Sequence, residues 1–240
     1  LTISPKMENL IDQWAKMYED PAGEEILNLP VSIASEFARL VVMESEISIT
    51  GGEKAQWLEN QLAPFFYHLR EYIEYGCALG GEIFKPYVSG DKVMIDAVQA
   101  DCFFPTAFDT SGRMTGAVFT QQILRGNKIY TRVESHEFIK DHEIIRNKAF
   151  VSGTNAALGQ EISLSSIPEW AETVPELTIS QIDRPLFAYF KIPLANNKER
   201  CSPLGVSVFA NAVQSIRDAN EQYKRLMWEY DGGQLAIDVA

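Results

Sequence analysis

The stretch VFTQQILRGNKIYTRVESHEF, residues 118–138, decides the fold class. Val118 to Leu124 and Lys128 to Phe138 are rich in β-branched and aromatic residues, and Gly126-Asn127 between them is a two-residue hairpin signal, because glycine supplies the positive φ such turns need. The same grammar extends outward. Gly90-Asp91 separates Ile83 to Val88 from Val93 to Val98, and further breaks fall at Thr110 to Gly112, Asn147-Lys148 and Gly153 to Asn155. From Glu82 to about Ser163 the chain therefore reads as an antiparallel meander. Ser165 or Ser166 caps a brief helix through Trp170, and Pro185 precedes one more apolar strand, Leu186 to Ile192.

Upstream the period changes to that of helices. Ser4-Pro5 pairs a capping hydroxyl with proline in the first turn, and Met7, Leu10, Ile11, Trp14, Met17 and Tyr18 follow at steps of three and four. A second helix starts at Pro30 and Ser32, with Ile33, Phe37, Leu40 and Val41 in one stripe, and Glu44 to Thr50 shifts toward a short strand. Trp57, Leu58 and Leu62 mark a third helix; after Pro64, the residues Phe65, Leu69, Tyr72, Ile73 and Cys77 mark a fourth, closed by Gly80 and Gly81. Downstream, a long helix from Pro203 or Ser207 to Tyr230 carries Phe209, Ala212, Ile216, Ala219, Tyr223, Leu226 and Tyr230. This seven-residue repeat suits either one long core helix or a helix packed between subunits. The reading is one α+β unit: a helical arm over 1–29, a helical part over 30–81, mostly antiparallel β over 82–192 and a long helix over 203–231.

The chain has 240 residues, 46% of them hydrophobic, enough for a large core without staples. Cys77, Cys102 and Cys201 are an odd number without CxxC spacing, so neither a disulfide framework nor a zinc ribbon is written, and a reducing compartment is the simpler reading. No apolar run approaches the roughly 18 residues of a membrane span, and no export leader opens the chain. Starting at Leu1 and stopping at Ala240 within a segment of strand character, it reads as a piece of a longer polypeptide. The net charge of −12 opposes tight nucleic-acid binding, since counterion release needs cations.

Motifs for chemistry are few. Tyr130, Arg132, Glu134 and His136 alternate along one predicted strand and share a face. With His142, Glu134 and His136 offer the donors of a metal-dependent hydrolase; the competing reading is the wet face of a meander. Gly76, Gly80 and Gly81 close a helix before a strand, the reverse of a dinucleotide fingerprint. Ser207 stands in half a nucleophile elbow, lacking the second glycine, and His68, His136 and His142 form no relay to it. Lys85, Lys92, Arg125, Lys128 and Arg132 scatter over hairpins and form no nucleic-acid patch. From the residues alone no cofactor, metal or catalytic residue is assigned, and a scaffold or adaptor protein is equally compatible.

Several stretches, in their order, resemble tailed-bacteriophage portal proteins, the long-tailed phage branch related to portal and minor capsid families. They are IASEFARLVVME (33–44), VQADCFFP (98–105), YTRVESHEF (130–138), IIRNKAF (144–150), LFAYFKIP (186–193) and, most specific, SPLGVSVFANAV (202–213) followed by Asp218, Tyr223 and Glu229 on the long helix. The resemblance implies a structural subunit without an active site. It would sit in a ring, usually of twelve copies, at one capsid vertex of the virion after assembly in the host cytoplasm. Its implied partners are further copies of itself, the terminase, capsid and scaffold proteins, head-tail connector proteins, and double-stranded DNA passing without sequence-specific binding; no membrane is involved. The chain resembles the wing region with the beginning of a stem-directed or wing helix, which would put stem, clip and crown beyond Ala240. In that picture the stripe from Phe209 to Tyr230 is the candidate subunit-packing surface.

Overall fold

The computed structural model describes residues 3–19, 27–153 and 158–238. It opens with α1 (Pro5–Tyr18), whose cap is the expected one: the Ser4 hydroxyl accepts a hydrogen bond from the Met7 amide at 3.1 Å, and Met7, Ile11 and Trp14 are buried. Then come α2 (Leu29–Met43), α3 (Glu53–Tyr67) and α4 (Leu69–Leu79). Pro64 lies inside α3 rather than at its boundary, which falls at His68. Glu44 to Thr50 forms no strand.

In α2 the stripe read from the sequence packs only at Ile33, which is partly buried against the core. The helix turns Pro30, Ala34 and Ala38 inward, against α4, and leaves Phe37, Leu40 and Val41 exposed. Small residues let the two backbones approach closely, and that approach selects the alanine face.

Two antiparallel sheets follow. The first has the order β2-β1-β9, with β1 (Gly81–Ser89), β2 (Lys92–Gln99) and β9 (Ala188–Lys191). The second runs β3-β4-β5-β6-β7, from β3 (Phe103–Phe108), β4 (Met114–Arg125), β5 (Lys128–Ile139), β6 (His142–Gly153) and β7 (Gln160–Ile162), with β8 (Glu176–Ser180) also on β6. The hairpins at Gly90-Asp91 and Gly126-Asn127 form as read, with Gly90 at φ 59° and Gly126 at φ 60°. The break expected at Asn147-Lys148 does not exist. The chain reverses at Lys140-Asp141, where Lys140 takes φ 60° without being glycine, and β6 runs straight through 147–148. The break at 153–155 falls partly outside the described residues. The brief helix is two 3-10 turns, Leu164–Ser166 and Pro168–Trp170, and the strand read over Leu186 to Ile192 shortens to β9.

The main core joins α1, α4, the first sheet and the near end of the second; a smaller one lies under the far end, where Leu164, Ile167 and Trp170 pack with Ala149. The long helix, α5 (Val213–Asp238), starts later than read and runs further, through the segment expected to be a strand. Its late start has a local cause. Residues 203–212 form a strap of tight turns whose donors go elsewhere: the Gly205 amide donates to the Tyr189 hydroxyl at 2.9 Å and the Val208 amide to the Cys77 carbonyl at 3.0 Å. Phe209 and Ala212 thus precede the helix that they were expected to belong to.

The strap crosses the end of α4 at van der Waals limits. Gly80, at φ 92°, terminates α4, and a Cβ on Gly205 would lie 2.0 Å from the Gly80 carbonyl oxygen. Gly205→Ala is expected to destabilise the fold by about 3 kcal/mol, because backbone cannot yield as a side chain does. Gly232→Ala, on the exposed part of α5 with nothing within 4 Å, is expected to add about 0.5–1 kcal/mol. Urea denaturation of the two variants checks the contrast; equal midpoints would refute the crossing.

Candidate functional site

Strand parity explains where the polar face of β5 goes. Tyr130, Arg132, Glu134 and His136 do share a face, opposite Ile123, Gln121, Phe119 and Ala117 of β4. That face is not wet: His136 is buried, and it packs edge-on to Phe119 and Phe187, with ring centroids 5.1 and 5.7 Å away. The first sheet sends Lys85 down from β1, and its ammonium lies 4.8 Å from the Phe119 ring centroid.

The result is a closed chain of charges. Lys85 Nζ donates to Glu134 Oε1 at 2.5 Å, Arg132 Nη2 lies 3.2 Å from Glu134 Oε2, and Asp96 stands 3.9 Å from Lys85. His136 Nε2 is 2.8 Å from Glu134 Oε1 and its Nδ1 is 2.6 Å from Glu143 Oε1. Both ring nitrogens face carboxylate oxygens, and only the imidazolium can donate to both. Burial alone would lower the His136 pKa, but the hydrogen bonds from Glu134 and Glu143 outweigh it and raise it. Burial would likewise raise Glu134, yet His136 and Lys85 bring it down to about 2. Glu143 spends its second oxygen on the Leu186 amide at 2.6 Å. The cluster therefore joins β1, β5, β6 and the segment returning from β8 to β9.

This arrangement rules out the hydrolase built on Glu134, His136 and His142. Ile139 pairs with His142 and Phe138 with Glu143, so His142 points to the opposite face of the sheet from His136. His142 instead neighbours Asp141 at 3.3 Å near the surface. Among the described residues no group of His, Cys, Asp or Glu is placed to hold a metal. Ser207 is buried and accepts from the Phe209 amide at 3.2 Å, shaping a turn of the strap. The partners missed in the sequence are Lys85 and Glu143. Their signal was available: with the turn placed at Lys140-Asp141, Glu143 alternates onto the face of His136.

A second buried acid stands apart. Glu82, at the start of β1, is almost fully buried, and neither carboxylate oxygen has a hydrogen-bond partner among the described residues. Burial, then the charge of Asp96, pushes its pKa up to about 8, so it is held as a neutral acid.

The long stripe divides in two. Phe209 and Ile216 are buried in the core, and Ala212, Ala219 and Tyr223 are half-buried. Beyond them α5 leaves the body of the protein: Leu226 is 61% exposed and Tyr230 67%, with Trp228 between them at 76%. The strap that anchors this helix is the Ser202-Pro203-Leu204-Gly205 segment, held further by Asn196, whose Nδ2 donates to the Leu204 carbonyl at 3.1 Å, and by Lys191, which donates to the Pro203 carbonyl at 2.8 Å. A loop ending Ser-Pro-Leu-Gly before a long helix that carries Asp218 and Glu229 is the combination singled out in the sequence, and a family model agrees: that for phage portal proteins, SPP1 Gp6-like, matches residues 26–240. The chain belongs to this family of phage portal proteins. No curated protein matches it. The portal family is structural, not enzymatic. The match leaves out α1, and takes in α2 to α5, both sheets and the strap.

The neutral Glu82 gives the portal fold a pH dependence with a definite sign. A carboxyl whose folded pKa lies above its ordinary 4.5 costs stability as pH rises from about 4.5 to about 8, because the unfolded chain ionises first. The slope is about 1.4 kcal/mol per pH unit within that window. Glu82→Gln is expected to match the parent protein near pH 4.5 and to exceed it in stability by a margin that grows toward pH 8. Denaturant midpoints at both pH values test this, and a margin independent of pH would refute it.

Proposed function

We propose that this chain is the wing-like region of a portal subunit, and that copies of the full-length subunit close into a ring around a channel for double-stranded DNA. In this reading the ring sits at one capsid vertex of the virion, assembles in the host cytoplasm, and contacts the terminase during packaging and the head-tail connector afterwards. Stem, clip and crown follow α5 in the longer polypeptide.

The observation that carries the reading is the division of the α5 stripe. A helix of 26 residues is about 39 Å long, and among its described side chains Ile216 is buried in the subunit's own core while Leu226, Trp228 and Tyr230 stand exposed. Apolar side chains held out in water on a rod anchored at one end suit an intersubunit contact, since a closed ring needs a surface that projects toward a neighbour. Charge supports the conduit: a chain of net charge −12 repels phosphate and would not hold DNA in transit. Among the described residues no helix is long and apolar enough to cross a membrane.

The two halves of the stripe should respond differently to the same substitution. Ile216→Asp puts an unpaired charge in the core and is expected to cost several kcal/mol, lowering the melting temperature by more than about 10 °C. Leu226→Asp in the full-length subunit is expected to leave the melting of the isolated subunit within about 2 °C and to prevent ring closure, as read by native mass spectrometry. Rings of parent mass with Leu226→Asp would remove α5 as the contact; a parent subunit that never forms a closed oligomer would remove the ring itself.

A further inference from the structure

We infer that the outer face of α2 is the second half of the subunit interface, a surface covered in the assembled state by another copy of this chain. The inference rests on the ring reading above and adds to it the identity of the complementary face.

The inversion of α2 is the starting point. At 100° per residue, Ala34 and Ala38 lie roughly a quarter-turn round the helix from Phe37 and Leu40. Ala34 and Ala38 are buried, with Leu29, Ile33 and Val42 partly buried against the same core, whereas Phe37 is 45% exposed, Leu40 46% and Met43 69%, with Val41 also exposed, and Ile47 is exposed in the segment just after the helix. A helix gains far more by burying phenylalanine and leucine than alanine. A sequence that places the large residues outward thus gives up hydrophobic stabilisation in the lone subunit, and recovers it only if something covers them.

The size of the face fits a protein partner. These five side chains expose on the order of 400 Å² of apolar surface, comparable to the apolar share of the roughly 800 Å² that each partner contributes to a standard interface. Symmetry then points to the partner's identity. In a ring each subunit meets its two neighbours through different surfaces, so one chain must present two unlike and complementary faces. Among the described residues, two exposed apolar helix faces carry this proposal: the distal part of α5, with Leu226 and Tyr230 on one side, and the outer face of α2; α3, which buries no residue, exposes Trp57 and Tyr67 elsewhere. The α5 stripe is a projecting ridge, and the α2 stripe is a flat row on the body backed by α4. A head-to-tail contact, α5 of one subunit on α2 of the next, uses both faces and leaves neither exposed.

The test uses the full-length subunit with Leu40→Glu and, separately, Phe37→Glu. Each is expected to keep the far-ultraviolet circular dichroism and melting temperature of the isolated subunit, and to raise the concentration for half-assembly more than about 100-fold, because the charge would be buried only in the ring. A photo-crosslinking phenylalanine analogue in place of Leu40 is expected to capture a second copy within α5, located by peptide mass mapping. Assembly at the parent concentration, loss of fold in the isolated variants, or crosslinks to residues of the same chain or to a different protein would each overturn the inference. The ring reading is judged apart from it: if Leu226→Asp blocks closure while Leu40→Glu assembles normally, only the α2 face is wrong, and if the parent subunit forms no ring, both fall.

Discussion

The backbone crossing at Gly80 and Gly205 is the constraint on which the rest of the architecture depends. At this point the end of α4, the start of β1, the end of β9 and the strap before α5 meet with no side chain between two of the main chains. The Gly80 carbonyl accepts from the Ile192 amide, the Cys77 carbonyl from Val208, and the Tyr189 hydroxyl from Gly205, so each element closes the hydrogen bonds of another. With Tyr189 half-buried and its phenol pushed up to about 12 by desolvation, that hydroxyl stays a neutral partner at any physiological pH. The direction in which α5 leaves the body is fixed here. A displacement of the strap by one residue would turn the whole stripe from Phe209 to Tyr230 by about 100°.

The charge cluster between the sheets answers a different need. Sheets packed face to face through aliphatic side chains alone can slide, whereas Lys85, Glu134, His136 and Glu143 fit in one register only. Burying four charges has a large desolvation cost, and such a network is weak as a source of net stability. What it supplies is position. The two cations and two carboxylates balance, the imidazolium spans the carboxylates, and the Leu186 amide brings the returning chain to the same point.

Much of this was legible in the sequence where a local rule decides the outcome. The Ser4-Pro5 cap and the hairpins at Gly90-Asp91 and Gly126-Asn127 depend on residues adjacent in the chain, and they stand as read. The misread elements depend on distant partners. Lys140-Asp141 carries no glycine, so its turn was invisible beside the more turn-like Asn147-Lys148, and β6 was cut in two. The polar face of β5 looks wet in the sequence because its counterions come from β1 and β6. The heptad of α5 is regular from Phe209 to Tyr230, yet its first part is strap: periodicity records which residues share a side, not where a helix begins. The strap itself was noticed as a resemblance, and its physical basis, a glycine facing a carbonyl oxygen, needed coordinates.

The same distinction separates the two apolar helix faces from the core. Hydrophobic periodicity reports that a surface will be covered, and is silent on whether the cover comes from the same chain. In α1 the apolar stripe and the buried face coincide, with Met7, Ile11 and Trp14 all inside. In α2 they diverge, and in α5 they coincide only as far as Ile216. Divergence of this kind is what the proposed ring would require, because an assembling subunit buries area against its neighbours as well as within its own chain. The acidic character of the surface works in the same direction. At −12 per copy, like charges oppose association at long range, so closure of the proposed ring would rely on short-range apolar contacts that reward one registered geometry and penalise loose aggregation.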